Sequence, residues 1–426
     1  MHFSEIRNPK SEIMKLYRAP FVVTGSGPVL EDGGVLVCGK TIAAVDRYDR
    51  LKNETVHIVD CEGHILTPAL INCHAHLELS WMADVVSDDY AVPQGDITAW
   101  IAALLKKRDH CSPTDEEIMA AARKGLDALY KNGTILVADI GNRYASAAIG
   151  SEHPAEVQFF LEIMGLTERA AEQSLKLLNG VDLSTTAHGP YSVHPQLIQN
   201  LKKRAMSSSD IFPLHIAESL DEVEFLQTGQ GRFYDFLNDR LKAIGEFDNK
   251  NLSDAFKAPG CRAVEYLEQL GVLDENTLCV HAVHVNDREV DLLAQKKAKV
   301  CLCPKSNRHI GVGVAPVAMF LDKGILPCLG TDSLASNSSL NLFAEMSTLS
   351  EDHPDIGPEI IFKMATIGGA QSLNISERLG SLDKGKSASV LAVRAEAIDV
   401  DDIYAYLVQR GEDVQVKWLE SFNALS

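Results

Sequence analysis

The feature that most constrains the fold of this chain is a repeated alternation: eight strand-length apolar runs, interspersed with helix-length amphipathic segments. Strands and helices that alternate in this way build repeated βα units and a parallel sheet. Eight such units are the number that closes a (β/α)8 barrel. The sequence therefore predicts an α/β chain built around a TIM barrel, with strands at 70–76, 135–139, 157–162, 185–188, 212–216, 278–282, 299–303 and 326–331.

Short alternating apolar runs flank this region on both sides, between residues 15 and 60 and again at 379–393. Neither set is large enough to fold alone, so we expect the two chain ends to pair into one small β-sandwich. A chain of 426 residues has room for both units. The expected domains are residues 1–65 and 376–426 for the two parts of the sandwich and 66–375 for the barrel.

The connection after the fifth predicted strand, residues 227–261, is long for a compact barrel. It mixes glycine, aromatic and charged residues without an extended apolar pattern. Such a segment is either a lid or binding loop over the site or a disordered insertion, and the sequence leaves both interpretations open.

Metal-binding and acid–base side chains stand at the ends of four predicted strands, on the side where barrels of this kind place their active sites. They are His74 and His76 after strand one, His215 and Glu218 after strand five, His281 after strand six and Asp332 after strand eight. The i, i+2 spacing of the first two puts both imidazoles on one face of the strand. A single His-x-His would be chance or a buried structural pair, but four strands that converge on such residues indicate a site.

Three neutral imidazoles and one carboxylate suit a borderline divalent ion, Zn²⁺ or Fe²⁺, with one position left for water. We expect His74, His76, His215 and Asp332 to bind one ion per chain, because the fourth predicted strand offers no lysine that could bridge two ions. Such an ion lowers the pKa of its bound water towards ~7. Asp332 would accept the proton of that water, and His281 would polarise the resulting hydroxide.

Glu218 allows two interpretations that its spacing does not separate. An acid three residues beyond a metal ligand could protonate a ring nitrogen while water adds to the adjacent carbon, as a non-ligand glutamate does in zinc deaminases of another fold. It could equally be a solvated carboxylate that opens the following helix.

Several stretches together resemble the amidohydrolase superfamily over nearly the whole chain. They are Asn72-Cys73-His74-Ala75-His76, His188-Gly189-Pro190-Tyr191, His215-Ile216-Ala217-Glu218, Cys303-Pro304-Lys305-Ser306-Asn307 and Gly330-Thr331-Asp332-Ser333-Leu334-Ala335-Ser336-Asn337. These motifs are similar to those of the branch that holds the nucleoside and base aminohydrolases and the chlorotriazine hydrolases. The resemblance implies that the three histidines and the aspartate bind one metal ion, that Glu218 shuttles protons and that His281 assists the hydroxide.

Within that branch, residues 76–81 and 259–267 look most like aminofutalosine deaminases and relatives that act on 6-aminopurine nucleosides. The resemblance implies a metal-dependent hydrolytic deaminase that releases ammonia from C6 of an aminofutalosine-like nucleoside, adenosine, 5′-methylthioadenosine or S-adenosylhomocysteine. Deamination of guanine or another heterocycle, and hydrolytic dechlorination, are alternatives on the same site. A non-catalytic barrel would typically have lost ligands that this chain retains.

Three further residues are candidates for substrate binding. Glu78 could accept hydrogen bonds from a sugar or an amine, and Trp81 could stack on a purine or belong to the core of a lid. His188 takes the substrate-side position that the resemblance implies for the fourth strand, against the alternative of a buried histidine bonded to the backbone.

Composition restricts the partners. The net charge of −19 argues against nucleic acid, because phosphate backbones need clustered lysine and arginine. No run approaches the ~18 apolar residues of a membrane span. The nine cysteines contain no Cys-x-x-Cys pair, which favours a reduced, cytoplasmic compartment. We therefore expect a cytoplasmic enzyme that acts on a small molecule, and a homodimer is compatible with this composition.

Overall fold

The computed structural model describes residues 14–53, 56–86, 92–247 and 250–425. The strands are β1 (Met14–Val22), β2 (Leu30–Cys38), β3 (Thr41–Arg47), β4 (His57–Asp60), β5 (His64–Pro68), β6 (Leu70–Ala75), β7 (Thr134–Gly141), β8 (Glu156–Ile163), β9 (Thr185–Ala187), β10 (Phe212–Ile216), β11 (Thr277–His281), β12 (Lys299–Leu302), β13 (Cys328–Leu329), β14 (Val390–Arg394) and β15 (Val416–Trp418). The helices are α1 (Tyr48–Leu51), α2 (Ile97–Cys111), α3 (Asp115–Lys131), α4 (Glu168–Leu177), α5 (Pro195–Ser208), α6 (Leu220–Thr228), α7 (Arg232–Ala243), α8 (Leu252–Ala255), α9 (Ala263–Gln269), α10 (Asp287–Lys296), α11 (Pro304–Ile310), α12 (Val317–Asp322), α13 (Leu342–Asp352), α14 (Pro358–Lys363), α15 (Gly369–Ser372) and α16 (Ile403–Gln409). None of the helices in these ranges is long and apolar enough to cross a membrane.

All eight strands predicted for the barrel are present, as β6 to β13. They form two four-stranded parallel sheets, ordered β6-β7-β8-β9 and β10-β11-β12-β13. The two sheets meet on both sides. The His215 N–H donates to the His188 carbonyl at 2.9 Å, and an isolated parallel bridge joins Ala75 to Asp332. These contacts join the end of β9 to β10 and the end of β6 to the residues after β13. The parallel strands with their intervening helices confirm the α/β class.

The strand segments that precede the polar ends are apolar and buried. Ile71, Cys73, Phe160, Val280 and Cys301 belong to one cluster of buried side chains from β6, β8, β11 and β12. Burial of apolar surface is the main stabilising term in such a core, at ~25 cal/mol per Å². The side chains at the strand ends are therefore held on a rigid support.

The flanking strands of the two chain ends pair as expected, but within one sheet. In the described residues the order is β15-β14-β5-β1-β2-β3, with β4 paired to β1. Antiparallel pairing of β14 with β5 joins the C-terminal segment to the N-terminal one. The described ranges contain no second sheet made of these strands, so the expected β-sandwich is not confirmed. The expected domain boundary between residues 65 and 66 falls inside β5, which stays in this sheet up to Pro68.

The long connection at 227–261 is partly helical in the residues that the structure describes, where it contains α7 and α8. The Arg240 guanidinium donates to Asp109 at 3.2 Å, and Arg232 lies 3.6 Å from Asp96. The helix α7 therefore packs against α2, which belongs to the first βα connection. A wholly disordered insertion is excluded by these helices, and the lid function stays a prediction.

Candidate active site

Four histidines from three strand ends meet in one buried cluster. His74 and His76 come from the end of β6, His215 from β10 and His281 from β11. The Nε2 atoms of His76 and His215 lie 3.3 Å apart, and the ring centroid of His74 lies 4.7 Å from that of His76 and 5.0 Å from that of His215. One possible ligand atom each of His74, His76 and Asp332 lie within 4.8 Å of one another. The structure thus brings the four predicted metal ligands together, with His281 beside them.

Backbone carbonyl groups orient two of these imidazoles. The Nδ1 atom of His76 contacts the carbonyl oxygen of Ile140 at 2.9 Å, and that of His215 contacts the carbonyl oxygen of His188 at 2.9 Å. A ring nitrogen that faces a carbonyl must carry the proton, which leaves the lone pair on Nε2. Both Nε2 atoms are therefore free to bind a cation.

His74 is fully buried, and neither of its ring nitrogens has a hydrogen-bond partner within the described part of the chain. Burial lowers the pKa of His74 to about 4 and holds the pKa of His215 well below its usual value. Neutral imidazole is the form that binds metal ions. A buried polar group without a partner is costly, so these orphaned nitrogens fit a bound divalent cation.

Asp332 presents one carboxylate oxygen to the histidines and holds the other in place. Its Oδ1 lies 3.6 Å from the Nε2 atoms of His74 and of His76, while its Oδ2 accepts hydrogen bonds from the hydroxyl groups of Ser306 at 2.6 Å and Ser336 at 2.7 Å. Burial alone would raise the pKa of Asp332, but its contact with His74 and the charge of His76 hold that pKa well below its ordinary value. The carboxylate is therefore ionised, as a metal ligand must be.

The backbone at these strand ends is strained. Ala217, His281, Ala282 and Asp332 have φ angles of 49°, 71°, 46° and 56°, in the left-handed region that residues other than glycine rarely adopt. The N–H groups of Thr331 and Asp332 both donate to the His74 carbonyl, at 3.0 and 3.1 Å, which holds the two strand ends in register. Strain of this kind persists where the surrounding structure fixes functional side chains.

Glu218 is buried beside His281, with its Oε1 3.6 Å from Nε2 of the histidine. Burial, assisted by the charge of Asp332, raises the pKa of Glu218 to about 8. The backbone N–H groups of Ala217 and Glu218 donate to the Glu222 carboxylate, each at 2.9 Å, and fix the turn. This position excludes the solvated carboxylate, and its burial favours the protonated form of Glu218.

Glu78, which is expected to contact substrate, is hydrogen-bonded to the segment that follows β7. Its carboxylate accepts hydrogen bonds from the N–H of Asn142 at 2.8 Å, the N–H of Arg143 at 3.3 Å and the hydroxyl of Ser146 at 2.8 Å. Glu78 is also buried. The structure thus shows this carboxylate holding residues 142–146 in place, and a direct contact with substrate stays a prediction.

The other two expected substrate residues differ in their position. Trp81 is half-buried in a small apolar cluster with Trp100, which agrees with the lid-core alternative. His188 lies beside the ligand set, with its ring centroid 4.7 Å from that of His215 and its Nδ1 2.7 Å from the hydroxyl oxygen of Ser192. Of the two, only His188 adjoins the histidine cluster in the described structure.

Two buried acids at strand ends were missed by the sequence reasoning, Asp139 on β7 and Glu162 on β8. Burial raises the pKa of Asp139 to about 7, and its Oδ1 accepts the N–H of Leu77 at 2.8 Å. Glu162 lies against His76 and His215, and one possible ligand atom of each of the three is within 4.8 Å of the others. Both acids are the last residues of predicted strands, so the strand-end rule that found the histidines would also have found them.

The comparisons with known proteins agree with this geometry. The model of the amidohydrolase family matches residues 65–417. The chain is 27% identical over 388 residues to an aminodeoxyfutalosine deaminase of Deinococcus radiodurans, which covers 87% of this chain and 89% of that one. It is 28% identical over 413 residues to a 5-methylthioadenosine/S-adenosylhomocysteine deaminase of Natronomonas pharaonis, with 90% and 84% covered. The crystal structure of Helicobacter pylori aminofutalosine deaminase in complex with methylthio-coformycin superposes with a TM-score of 0.79 at 22% identity, over 94% of this chain and 97% of that one.

Proposed function

Since this chain belongs to the amidohydrolase family, we propose that it is a metal-dependent hydrolase that deaminates a 6-aminopurine nucleoside derivative at C6 and releases ammonia. One observation carries the proposal: the ligand set His74, His76, His215 and Asp332 stands next to a buried acid, Glu218, whose pKa is raised to about 8. Hydrolytic deamination needs both a centre that activates water and an acid that is protonated at neutral pH.

We also infer that the two four-stranded sheets form one (β/α)8 barrel with residues 66–375 as its domain. The contacts between β9 and β10 and between the ends of β6 and β13 support this inference. The active site then lies at the C-terminal face, where barrels of this type carry their catalytic residues.

The ligand set would hold one divalent ion. Zn²⁺ and Fe²⁺ are the ions that suit three imidazoles and one carboxylate. When bound, such an ion supplies hydroxide near neutral pH by lowering the pKa of water. A single ion is supported by β9, whose sequence Thr185–Ala187 offers no bridging lysine or acid.

The protein side chains then divide the proton transfers between them. His281 contacts the side-chain amide oxygen of Asn307, Oδ1, through its Nδ1 at 3.0 Å, so its Nε2 can accept a hydrogen bond from the attacking water. Asp332 takes one proton from that water as it adds to C6, while Glu218 gives its proton to the adjacent ring nitrogen. Asp332 next protonates the amino group, and the C6–N bond breaks. The proton of the new hydroxyl group returns to Glu218 as the carbonyl forms, so the products are the 6-oxo nucleoside and ammonia.

The names of the relatives guide the choice of substrate. Aminodeoxyfutalosine, 5-methylthioadenosine and S-adenosylhomocysteine, named for two of the relatives, all carry a 6-aminopurine on a 5′-modified sugar. His188 adjoins the ligand set and offers a further polar group to such a substrate. We therefore propose a 5′-substituted nucleoside, with binding energy from the sugar side raising kcat/KM.

A panel assay tests this proposal. Ammonia release is measured from adenine, guanine, adenosine, 5′-methylthioadenosine, S-adenosylhomocysteine and aminofutalosine, with the Glu218→Gln variant as the catalytically impaired control. The proposal predicts that a 5′-substituted nucleoside gives the highest kcat/KM. Equal or faster turnover of guanine or free adenine would replace the nucleoside assignment with a base deaminase.

A further inference from the structure

Glu162 is a buried acid beside the proposed ligand set that takes no part in the proton transfers. It lies near the C-terminal end of β8 and is only 5% exposed. Its neighbours His76 and His215 belong to the proposed ligand set, so Glu162 lies directly beside that set.

Among the described residues, hydrogen bonds hold the Glu162 carboxylate through one of its two oxygens. Oε2 accepts a hydrogen bond from Nδ2 of Asn142 at 3.0 Å, and the same Nδ2 reaches the Glu162 carbonyl oxygen at 3.1 Å. The Asn142 N–H in turn donates to Glu78 at 2.8 Å. Asn142 is therefore bound by two buried carboxylates, those of Glu78 and Glu162. Its side-chain amide in turn fixes the orientation of Glu162.

The other oxygen of Glu162, Oε1, is buried and has no hydrogen-bond partner among the described residues. The nearest ring nitrogen, Nδ1 of His215, is 3.8 Å away and already donates to the His188 carbonyl. Buried carboxylate oxygens in native proteins are nearly always paired. An oxygen without a protein partner beside the proposed ligand set is available to accept a hydrogen bond from a ligand.

A second metal ion does not fit this oxygen. His76 and His215 direct their Nε2 atoms to the first ligand set, 3.3 Å apart, and their Nδ1 atoms face the carbonyl groups of Ile140 and His188. Neither histidine has a nitrogen left to share with Glu162. A carboxylate oxygen accepts hydrogen bonds, so Oε1 of Glu162 can take an N–H or O–H group of the substrate.

We propose that Oε1 of Glu162 accepts a hydrogen bond from the C6 amino group and is a specificity-determining residue for an amine leaving group. This inference rests on the proposed function. The amino nitrogen is bonded to C6, which must approach the ligand set, whereas the nearest ribose hydroxyl oxygen is about six bonds from C6 and cannot easily share that position. A carboxylate at this point favours an amine over chloride, and it repels the carbonyl oxygen of the product, which assists release.

The variant Glu162→Gln separates this role from a structural one. Asn142 Nδ2 donates to one oxygen of residue 162, so a glutamine must turn its carbonyl oxygen to Asn142 and its amide N–H₂ to the substrate amine. Two donors then face each other. We expect kcat/KM for the best 6-amino nucleoside to fall about 10- to 100-fold, the range for loss of a hydrogen bond to a charged group. The inhibition constant of purine ribonucleoside, which has no group at C6, should change less than about threefold.

Glu156→Gln is the matched control, because it makes the same substitution at the other end of the same strand, where Glu156 forms an exposed ion pair with Arg378. Its kinetics and metal content should equal those of the wild type. A contrary result is that Glu162→Gln weakens the binding of purine ribonucleoside by the same factor by which it lowers kcat/KM for the 6-amino nucleoside. In that case Glu162 binds another part of the ligand or supports the fold, and the assignment is overturned. An unchanged kcat/KM also overturns it. A wild-type protein that deaminates no 6-amino nucleoside refutes the proposed function and this inference with it.

Discussion

The two serine hydroxyls that hold Asp332 should decide how tightly the metal ion is bound. Ser306 and Ser336 are both buried, and their hydroxyls donate to Oδ2 at 2.6 and 2.7 Å, which leaves Oδ1 to face His74 and His76. Replacing Ser306 by alanine leaves Oδ2 with one hydroxyl donor instead of two. A hydrogen bond to a charged group contributes about 1.5–3 kcal/mol, or roughly 10- to 100-fold in affinity. At other metal sites, loss of a hydrogen bond that orients a metal ligand lowers the metal affinity by a similar factor.

The dissociation constant for Zn²⁺ is measured by competition with a chromophoric chelator for the wild type, Ser306→Ala, Ser336→Ala and the double variant. We expect each single variant to lose about 10- to 100-fold in affinity and the double variant to lose more. At saturating metal, kcat should recover most of its value. Ser338→Ala, an exposed position on the same loop, is the control. Wild-type affinity in both single variants would refute this reasoning, as would a loss of kcat that added metal does not restore.

Three further predictions follow from the contacts in the site. Glu218→Gln should retain metal and KM while kcat falls by about 10²–10⁴, and loss of metal in this variant would show a structural role instead. Asn307→Ala removes the partner of His281 Nδ1, so kcat should fall about tenfold or more with unchanged metal content; equal kcat would show that another group orients the imidazole. Burial raises the pKa of Glu222 from its ordinary 4.5 to about 8, so the folded apoprotein binds a proton that the unfolded chain releases between these pH values. Its stability should therefore fall as pH rises through this window, by at most about 1.4 kcal/mol per pH unit for this group, and the melting temperature of Glu222→Gln should fall less steeply.

The ligand set could be predicted from the sequence because two independent patterns coincide there. Apolar runs mark the strands, and polar residues mark their C-terminal ends, so His74, His215, His281 and Asp332 converge once the strands are parallel. The alternative for Glu218 was settled only by its burial, which depends on residues distant in the chain.

Other features depend on contacts that no local pattern encodes. Glu78 reaches Asn142 across 64 residues, so its use in holding a loop is invisible in the sequence around it. Glu162 ends a predicted strand, so the strand-end rule includes it, but an acid a few residues before α4 is also typical of a helix that begins in solvent, and only its burial separates the two. The apolar–polar alternation of the flanking strands is the same whether they form one sheet or two. Only the pairing of β14 with β5 decides how the two chain ends join.

We propose that one divalent ion, held by His74, His76, His215 and Asp332, supports deamination. The most direct test measures metal content by elemental mass spectrometry together with ammonia release, for the wild type and for Asp332→Ala. The account predicts one ion per chain and deamination of a 6-aminopurine nucleoside in the wild type, and the loss of both in the variant. Two ions per chain, or an active protein that contains none, would contradict it.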